Sequence, residues 1–369
     1  MIVVHVHHSF HPVKGGIENV VYNMALGQAR QGHEVHVITT RLRGTKKYEV
    51  IEDLVHVHRL RSARLLYRDL SLPLERPREI LERADIVHIH SQNSIFNMSI
   101  ASTAKKKGVR VAVHFMAVDA LRTHPSLLKR TIGSKLQAYL TRKAMELADI
   151  PIVKSMRDKE LLKRYGVETV YLPDGISDEY FTAPRDPYTF RRKYGINASD
   201  LFLYIGRLHP AKGPHVLVQA AAFLREKYDD FKAAFIGPGE VKWLRKLAVR
   251  LGVQDHVVFT GFIPESLKIS AIDGSTAVIV PSLYDYVEVY SLTTSEALAR
   301  GKPVIASRVG ELPYRIADGH NGILVRAGDP KALAEAMLRV KRIKLKPYGR
   351  IYSWEEVLDS LSKIYAEYL

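Results

Sequence analysis

The sequence predicts an α/β protein made of two doubly wound domains. Three observations carry this reading. Short apolar runs alternate with amphipathic stretches along the chain, the pattern of parallel sheets covered by helices. That alternation breaks once, at Pro173-Asp174-Gly175-Ile176, and resumes after a polar, proline-bearing stretch. The chain's 369 residues are also enough for two domains, each with its own core.

In the first half the predicted strands are 2–6, 34–39, 55–60, 86–90, 109–114 and 150–153. Helices fall between them, among them 16–31 and 126–147. Residues 1–172 form the first expected domain and 173–200 a linker. The second alternation supplies strands at 201–205, 233–236, 257–260, 277–280, 304–306 and 322–325, within a second domain at 201–350. Ligands of such sheets bind outside the carboxyl ends of the strands, so two sheets can present those ends to each other across a cleft.

With no cysteine, disulfides, thiolate chemistry and Cys-based zinc sites are excluded. The opening MIVVHVHHSFHP reads as a short strand rather than a signal peptide, and no apolar run is long enough to cross a bilayer. A cytoplasmic protein is expected, with peripheral attachment to the inner face of the cell membrane left open. The net charge is +16, and residues 1–170 carry most of it, with 28 Lys/Arg against 16 Asp/Glu. A basic first half suits an anionic partner such as a phosphorylated substrate, a membrane surface or nucleic acid; an ordinary solvated surface is the plain alternative.

Glu288 and Glu296 stand eight apart. Glu160 and Glu168 share that interval inside KELLKRYGVET, where a charged helix face explains them, so spacing alone decides nothing. The surroundings of Glu288 and Glu296 differ. The apolar strand Ala277-Val278-Ile279-Val280 ends at Pro281-Ser282, and a helix then starts near Ser291 and stops at Gly301. Free N–H groups at a helix start attract phosphate, and a Glu one turn inside can accept hydrogen bonds from sugar hydroxyls. Gly206-Arg207 and Lys212 straddle another strand-to-helix turn, where both cations can reach one diphosphate. In the first half, Gly15-Gly16 precede a helix and let backbone approach a ligand, though a hinge loop would look the same.

His114 closes an apolar strand at its carboxyl end, where either a structural or a ligand-facing role is open. His7, His8 and His11 invite a metal reading, but no carboxylate pattern supports it, and no metal site is expected. Gly237-Pro238-Gly239-Glu240 lacks the third glycine of a dinucleotide loop, and neither GxxxxGK[ST] nor Asp-x-Asp occurs. Leu128, Ile132, Leu136, Leu140 and Leu147 form a helical stripe flanked by Lys129, Arg130, Lys135, Arg142 and Lys143. That stripe fits a core-facing helix or one lying on an anionic membrane.

Taken together, these residues resemble the retaining glycosyltransferases of family 4 (glycosyl transferases group 1), which have the GT-B fold of two Rossmann-like domains. The resemblance runs from Gly15-Gly16 to the final YSWEEVLDSLSKIYAEYL. Its most specific part is PS(x5)E(x7)EALARGKPVIA, followed by Gly310-Glu311-Leu312-Pro313 and Asp318-Gly319-His320-Asn321-Gly322. It implies a last helix, 351–369, that crosses back onto the first domain. It further implies that Arg207 and Lys212 neutralise the departing diphosphate, Glu296 holds the ribose and Glu288 contacts the donor sugar. Ser291, Leu292 and Thr293 would meet the phosphates, and Gly206 would belong to the same donor pocket. Gly261, Phe262 and Ile263 would border the base, Gly16 would approach the donor phosphate beside Gly15, and His114 would line the sugar pocket. Two positions depart from the family pattern: Ser291 where glycine is common, and Phe115 where an acidic residue is frequent.

The activity so implied is metal-independent transfer of a hexose from a UDP- or GDP-sugar to a sugar, phosphorylated or lipid-linked acceptor. A sugar phosphorylase or disaccharide synthase of the same fold is the alternative. A non-catalytic binder of sugar nucleotides or nucleic acid fits less well, and the missing third glycine disfavours a nicotinamide oxidoreductase.

Overall fold

The computed structural model describes residues 1–13, 15–64 and 70–369. The chain forms two compact units, Met1–Gly175 with Tyr352–Leu369, and Ile176–Ile351.

The first unit contains β1 (Ile2–Val6), β2 (Glu34–Thr40), β3 (Tyr48–Ile51), β4 (Val55–Leu60), β5 (Ser62–Arg64), β6 (Ser71–Pro73), β7 (Ile86–His90), β8 (Arg110–Phe115), β9 (Ile150–Val153) and β10 (Val170–Tyr171). Eight of these make one sheet in the order β10-β9-β8-β7-β1-β2-β4-β3, while β5 and β6 pair separately. Every pairing in the large sheet is parallel except β3 with β4. Edge strand β3 was not foreseen, since only half of its residues are even partly covered and it lacks an apolar run.

The second unit contains β11 (Asp200–Ile205), β12 (Phe231–Ile236), β13 (Val257–Gly261), β14 (Ala277–Val280), β15 (Val304–Ser307) and β16 (Gly322–Val325). Their order is β13-β12-β11-β14-β15-β16, all parallel, which is the doubly wound order with its switch between β11 and β14. Both faces are buried, as parallel sheets require. Phe202 and Tyr204 enter one core with Leu217 and Phe235, while Leu201 and Leu203 enter the other with Ile272 and Val304.

Residues 173–200, read as a linker from their prolines and polar character, are packed structure. Helices Glu179–Thr182 and Thr189–Lys193 bury Tyr180 and Phe190 against the second sheet's core, with Ile196. Three spaced apolar side chains among polar ones were enough to dock the segment. The final helix, Trp354–Tyr368, belongs to the first unit. Ser353 and Glu356 form a capping box at its start, and Val357, Leu361, Ile364 and Tyr365 pack with Val3, Val20 and Met24. Among the described residues no helix is long and apolar enough to cross a membrane.

The basic stripe divides. A π-helical turn at Lys129–Gly133 leads into helix Ser134–Leu147. Leu140 is buried and Leu136 and Leu147 pack on the core, whereas Leu128 and Ile132 face outward. A continuous core-facing stripe is therefore replaced by a buried half and an exposed half, because the wider turn shifts the helical phase.

Leu361 is fully buried in the core closed by the last helix. Leu361→Ala should destabilise the first unit by about 2–5 kcal/mol, read from the denaturant midpoint of a tryptophan- or circular-dichroism-monitored unfolding curve.

Candidate functional site

Because the strands of the second sheet run parallel, their carboxyl ends share one edge. Gly206 and Arg207 follow β11, Gly261 ends β13 ahead of Phe262 and Ile263, and Pro281-Ser282 follow β14. Arg207 is exposed, with no ion-pair partner among the described residues, and its carbonyl accepts the Tyr204 hydroxyl at 2.6 Å. Lys212 ends a single turn, Pro210–Lys212. Gly213 then takes a φ of +70°, and a Cβ there would lie 1.9 Å from the Pro281 carbonyl oxygen. Only glycine lets this loop lie against the end of β14.

Lys212 Nζ lies 2.7 Å from Glu288 Oε1, and the Ser282 hydroxyl donates to that same oxygen at 2.5 Å. The Glu288 side chain is 2% exposed and that of Lys212 28%. The ammonium expected on a diphosphate and the carboxylate expected on a sugar thus hold each other in this structure. Gly310 fits the carboxylate's loop tightly, since a Cβ there would lie 2.2 Å from the Glu288 carbonyl. The Gly310 N–H donates to Asp285 Oδ1 at 2.8 Å, and the Glu311 N–H donates to the Glu288 carbonyl at 2.9 Å.

Helix Leu292–Ala299 begins beside this pair. Ser291 caps it in an extended conformation, accepting the Thr294 N–H at 3.3 Å. The departure from glycine therefore supplies a conventional cap. Thr293 ties the helix start to β11 by donating its hydroxyl to the Ile205 carbonyl at 3.3 Å. The first-turn amides have no intrahelical acceptor, and those that Ser291 does not cap suit an anion.

Glu296 lies one turn into the helix and is largely buried. Lys268 Nζ sits 3.0 Å from its carboxylate and 2.8 Å from that of Glu265, to which the Tyr180 hydroxyl also donates. Burial alone would lower the Lys268 pKa, but Glu296 and Glu265 outweigh it and raise it, so the ammonium stays charged. Nearby, Phe262 is 81% exposed while Ile263 is buried in the core.

In the first unit, Gly15 precedes helix Gly16–Arg30 with an extended backbone, and a Cβ on Gly16 would meet nothing within 4 Å. Gly16 is thus unobstructed, whereas a Cβ on Gly15 would lie 2.2 Å from the Glu18 carboxylate, which folds back over the helix start. For His114 the sequence left a structural or a ligand-facing role open and the resemblance implied the sugar pocket; it is the penultimate residue of β8 and is 0% exposed, the structural placement. Its ring stacks on His88 at 5.7 Å, and burial followed by the charge of Lys154 pushes its pKa far below the usual imidazole range. It is a neutral core side chain.

Ser282, Lys268, Tyr180 and Arg315 were missed. Arg315 donates to the Ser291 carbonyl at 2.8 Å and to the Ser295 hydroxyl at 2.6 Å, with its guanidinium 4.2 Å from the centre of the Tyr290 ring. Only Ser282 carried a sequence signal, through its place in the Pro-Ser turn. The others reach the site from distant segments.

Two Rossmann-like units, the second with a phosphate-suited helix start and paired acidic side chains at the carboxyl edge of its sheet, define a GT-B protein of the glycosyltransferase class. Residues 14–180 match the model of Glycosyltransferase Family 4, and residues 188–349 match that of Glycosyl transferases group 1. The chain belongs to the family-4 glycosyltransferases. A D-inositol 3-phosphate glycosyltransferase of Corynebacterium urealyticum is 35% identical over 193 residues, covering 47% of this chain and 45% of that protein. The match spans about half the length of the curated relatives of this kind.

Solved structures share the fold across the whole chain. Sucrose-phosphate synthase from Thermosynechococcus elongatus gives a TM-score of 0.77 at 19% identity, covering 99% of this chain and 98% of that one. Anabaena HepE in complex with UDP-glucose gives 0.74 at 17% identity, with both chains covered completely (100% of each).

Removing the ammonium beside Glu296 would leave a buried carboxylate without its counter-charge. Lys268→Met is expected to cost about 3 kcal/mol of second-unit stability at neutral pH, measured by urea unfolding.

Proposed function

We propose that the protein is a retaining glycosyltransferase that moves a hexose from a nucleoside-diphosphate sugar to an acceptor hydroxyl. The observation that supports this most is the grouping at one sheet edge of exposed Arg207, the Lys212–Glu288 pair and a serine-capped helix start with Glu296 one turn inside. Each of these matches a different part of such a donor.

The diphosphate would sit on the first-turn amides near Ser291, Leu292 and Thr293. Lys212 would exchange Glu288 for phosphate oxygens, joined by Arg207, and the released Glu288 would accept hydrogen bonds from the sugar. Glu296, kept in place by Lys268, would accept the ribose hydroxyls. Gly261, Phe262 and Ile263 would border the base, with the exposed Phe262 ring free to stack on it.

As the glycosidic bond to the diphosphate breaks, negative charge grows on the leaving oxygen. Arg207, Lys212 and the amides would stabilise that charge, and such preorganised stabilisation is the main means of lowering the barrier. The acceptor hydroxyl would attack from the same face, passing its proton to the leaving phosphate oxygen, so that configuration is retained without a protein nucleophile. These cations make a divalent ion unnecessary for donor delivery.

UDP-glucose in the HepE complex favours a UDP-sugar, and the name D-inositol 3-phosphate glycosyltransferase favours a phosphorylated acceptor. The basic first half suits either a phosphorylated or a lipid-linked acceptor.

We further place the protein in the cytoplasm, at an anionic membrane face. Leu127, Leu128, Ile132 and Tyr139 are each more than half exposed, among Arg130, Lys135 and Arg142. Exposed apolar side chains set among cations are the arrangement of an interfacial helix.

Arg207→Ala and Lys212→Ala should each lower kcat by about 10²-fold with a UDP-sugar and a phosphorylated acceptor, and undiminished turnover would refute the phosphate assignment. In flotation assays, wild-type protein should bind vesicles containing phosphatidylglycerol and ignore pure phosphatidylcholine. Leu127→Ser with Leu128→Ser and Ile132→Ser should abolish that binding.

A further inference from the structure

The first unit buries a group of histidines on one face of its sheet. In register, His5 of β1 lies beside His88 of β7, and His90 of β7 lies beside His114 of β8. All four are 0% exposed. The rings of His5, His88 and His90 lie together, with centroids 5.6 Å, 5.1 Å and 4.3 Å apart, the last pair stacked at 15° so that one ring must turn to share an ion with the other. One ring nitrogen from each of these three lies within 4.8 Å of the other two.

A stacked imidazole core would satisfy its nitrogens, and this one does not. His88 Nε2, His90 Nδ1 and both nitrogens of His114 have no hydrogen-bond partner among the described residues. His5 and His88 each have one nitrogen engaged by a group outside the cluster. His5 Nε2 donates to Gln28 Oε1 at 2.7 Å, and His88 Nδ1 meets the Tyr365 hydroxyl at 2.6 Å. An oriented outer nitrogen with an inner lone pair is how metal-binding histidines are held.

We propose that His5, His88 and His90 bind one divalent transition-metal ion of the zinc class, as a structural centre that joins β1, β7 and the helices carrying Gln28 and Tyr365. His88 would contribute Nε2, the nitrogen that Tyr365 leaves free. His5 Nδ1 and His90 Nε2 are now 2.9 Å apart and share a proton. A tetrahedral ion with bonds of about 2.0–2.1 Å sets its nitrogens about 3.3 Å apart, so this pair needs to open by only a few tenths of an ångström. The His90 proton passes to Nδ1 on binding, so the ring stays neutral and no proton is released. Three imidazoles leave a fourth position for a water or another ligand.

An all-imidazole set selects zinc, cobalt, nickel or copper over magnesium or calcium. Burial keeps the rings in the neutral, metal-competent form, with His5 lowered to about 4. The centre is distinct from the cations and carboxylates proposed to hold the donor, Arg207, Lys212, Glu288 and Glu296, which lie in the second unit.

The test uses the full chain, stripped of metal under mild denaturant, refolded and titrated with Co2+ and then Zn2+. Expected are close to one ion per chain by elemental analysis, intense visible d–d bands from Co2+ in a tetrahedral nitrogen field, and a melting temperature raised by several degrees. His88→Gln and His5→Gln should each weaken binding at least about tenfold. Should neither variant fold, ring-nitrogen resonances of labelled histidine in the wild type report the same event, with three rings shifting on Zn2+ addition. Protein that takes up no stoichiometric ion, or binding undiminished in both variants, overturns the proposal.

Discussion

The direction reversal between β11 and β14 is the constraint on which the second unit depends. From β11 the chain builds one way through β12 and β13, then returns to lay β14, β15 and β16 on the other side. Loops leaving β11 and β14 must therefore diverge, and the gap between them receives the Lys212 turn from one side and the Glu288 loop from the other. Gly213 against Pro281 and Gly310 against Glu288 are the two contacts that close this arrangement. Without them the ammonium and carboxylate would not meet. The helix that follows could not then present its amides beside them.

That pairing gives the ligand-free site a settled electrostatic state. A buried carboxylate without a partner is costly, and Lys212 together with Ser282 supplies one. In the proposed reaction a phosphate group would compete for the same ammonium, so donor binding and release of Glu288 would be one event rather than two. Lys268 does the corresponding work for Glu296, but from a position where Glu265 and Tyr180 hold it on the protein side. On that proposal one acidic residue would be freed by ligand, and the other would stay fixed.

Much of this was readable from the chain. The β11–β16 strands were legible because each is a short apolar run bounded by turn residues, and the site helix because Ser291 and Gly301 mark its ends. Glu288 and Glu296 stood out through their surroundings rather than their spacing. What could not be read depends on pairing across distance. Lys212 and Glu288 are separated by 76 positions, and Lys268 and Glu296 by 28. The burial of His114 was hidden for a similar reason. Whether a strand-end side chain faces ligand or core is decided by what covers it, and here the neighbours include the His88 and His90 rings. The segment at 173–200 misled because prolines mark linkers and packed irregular structure alike.

The return of residues 352–369 to the first unit has a consequence for biosynthesis. While the chain is still emerging from the ribosome, the apolar strip bearing Val20 and Met24 lacks its covering helix. The second unit is sequence-continuous and has everything it needs earlier. The usual N-to-C order of co-translational folding is therefore inverted here, and the half made first is the half that must wait.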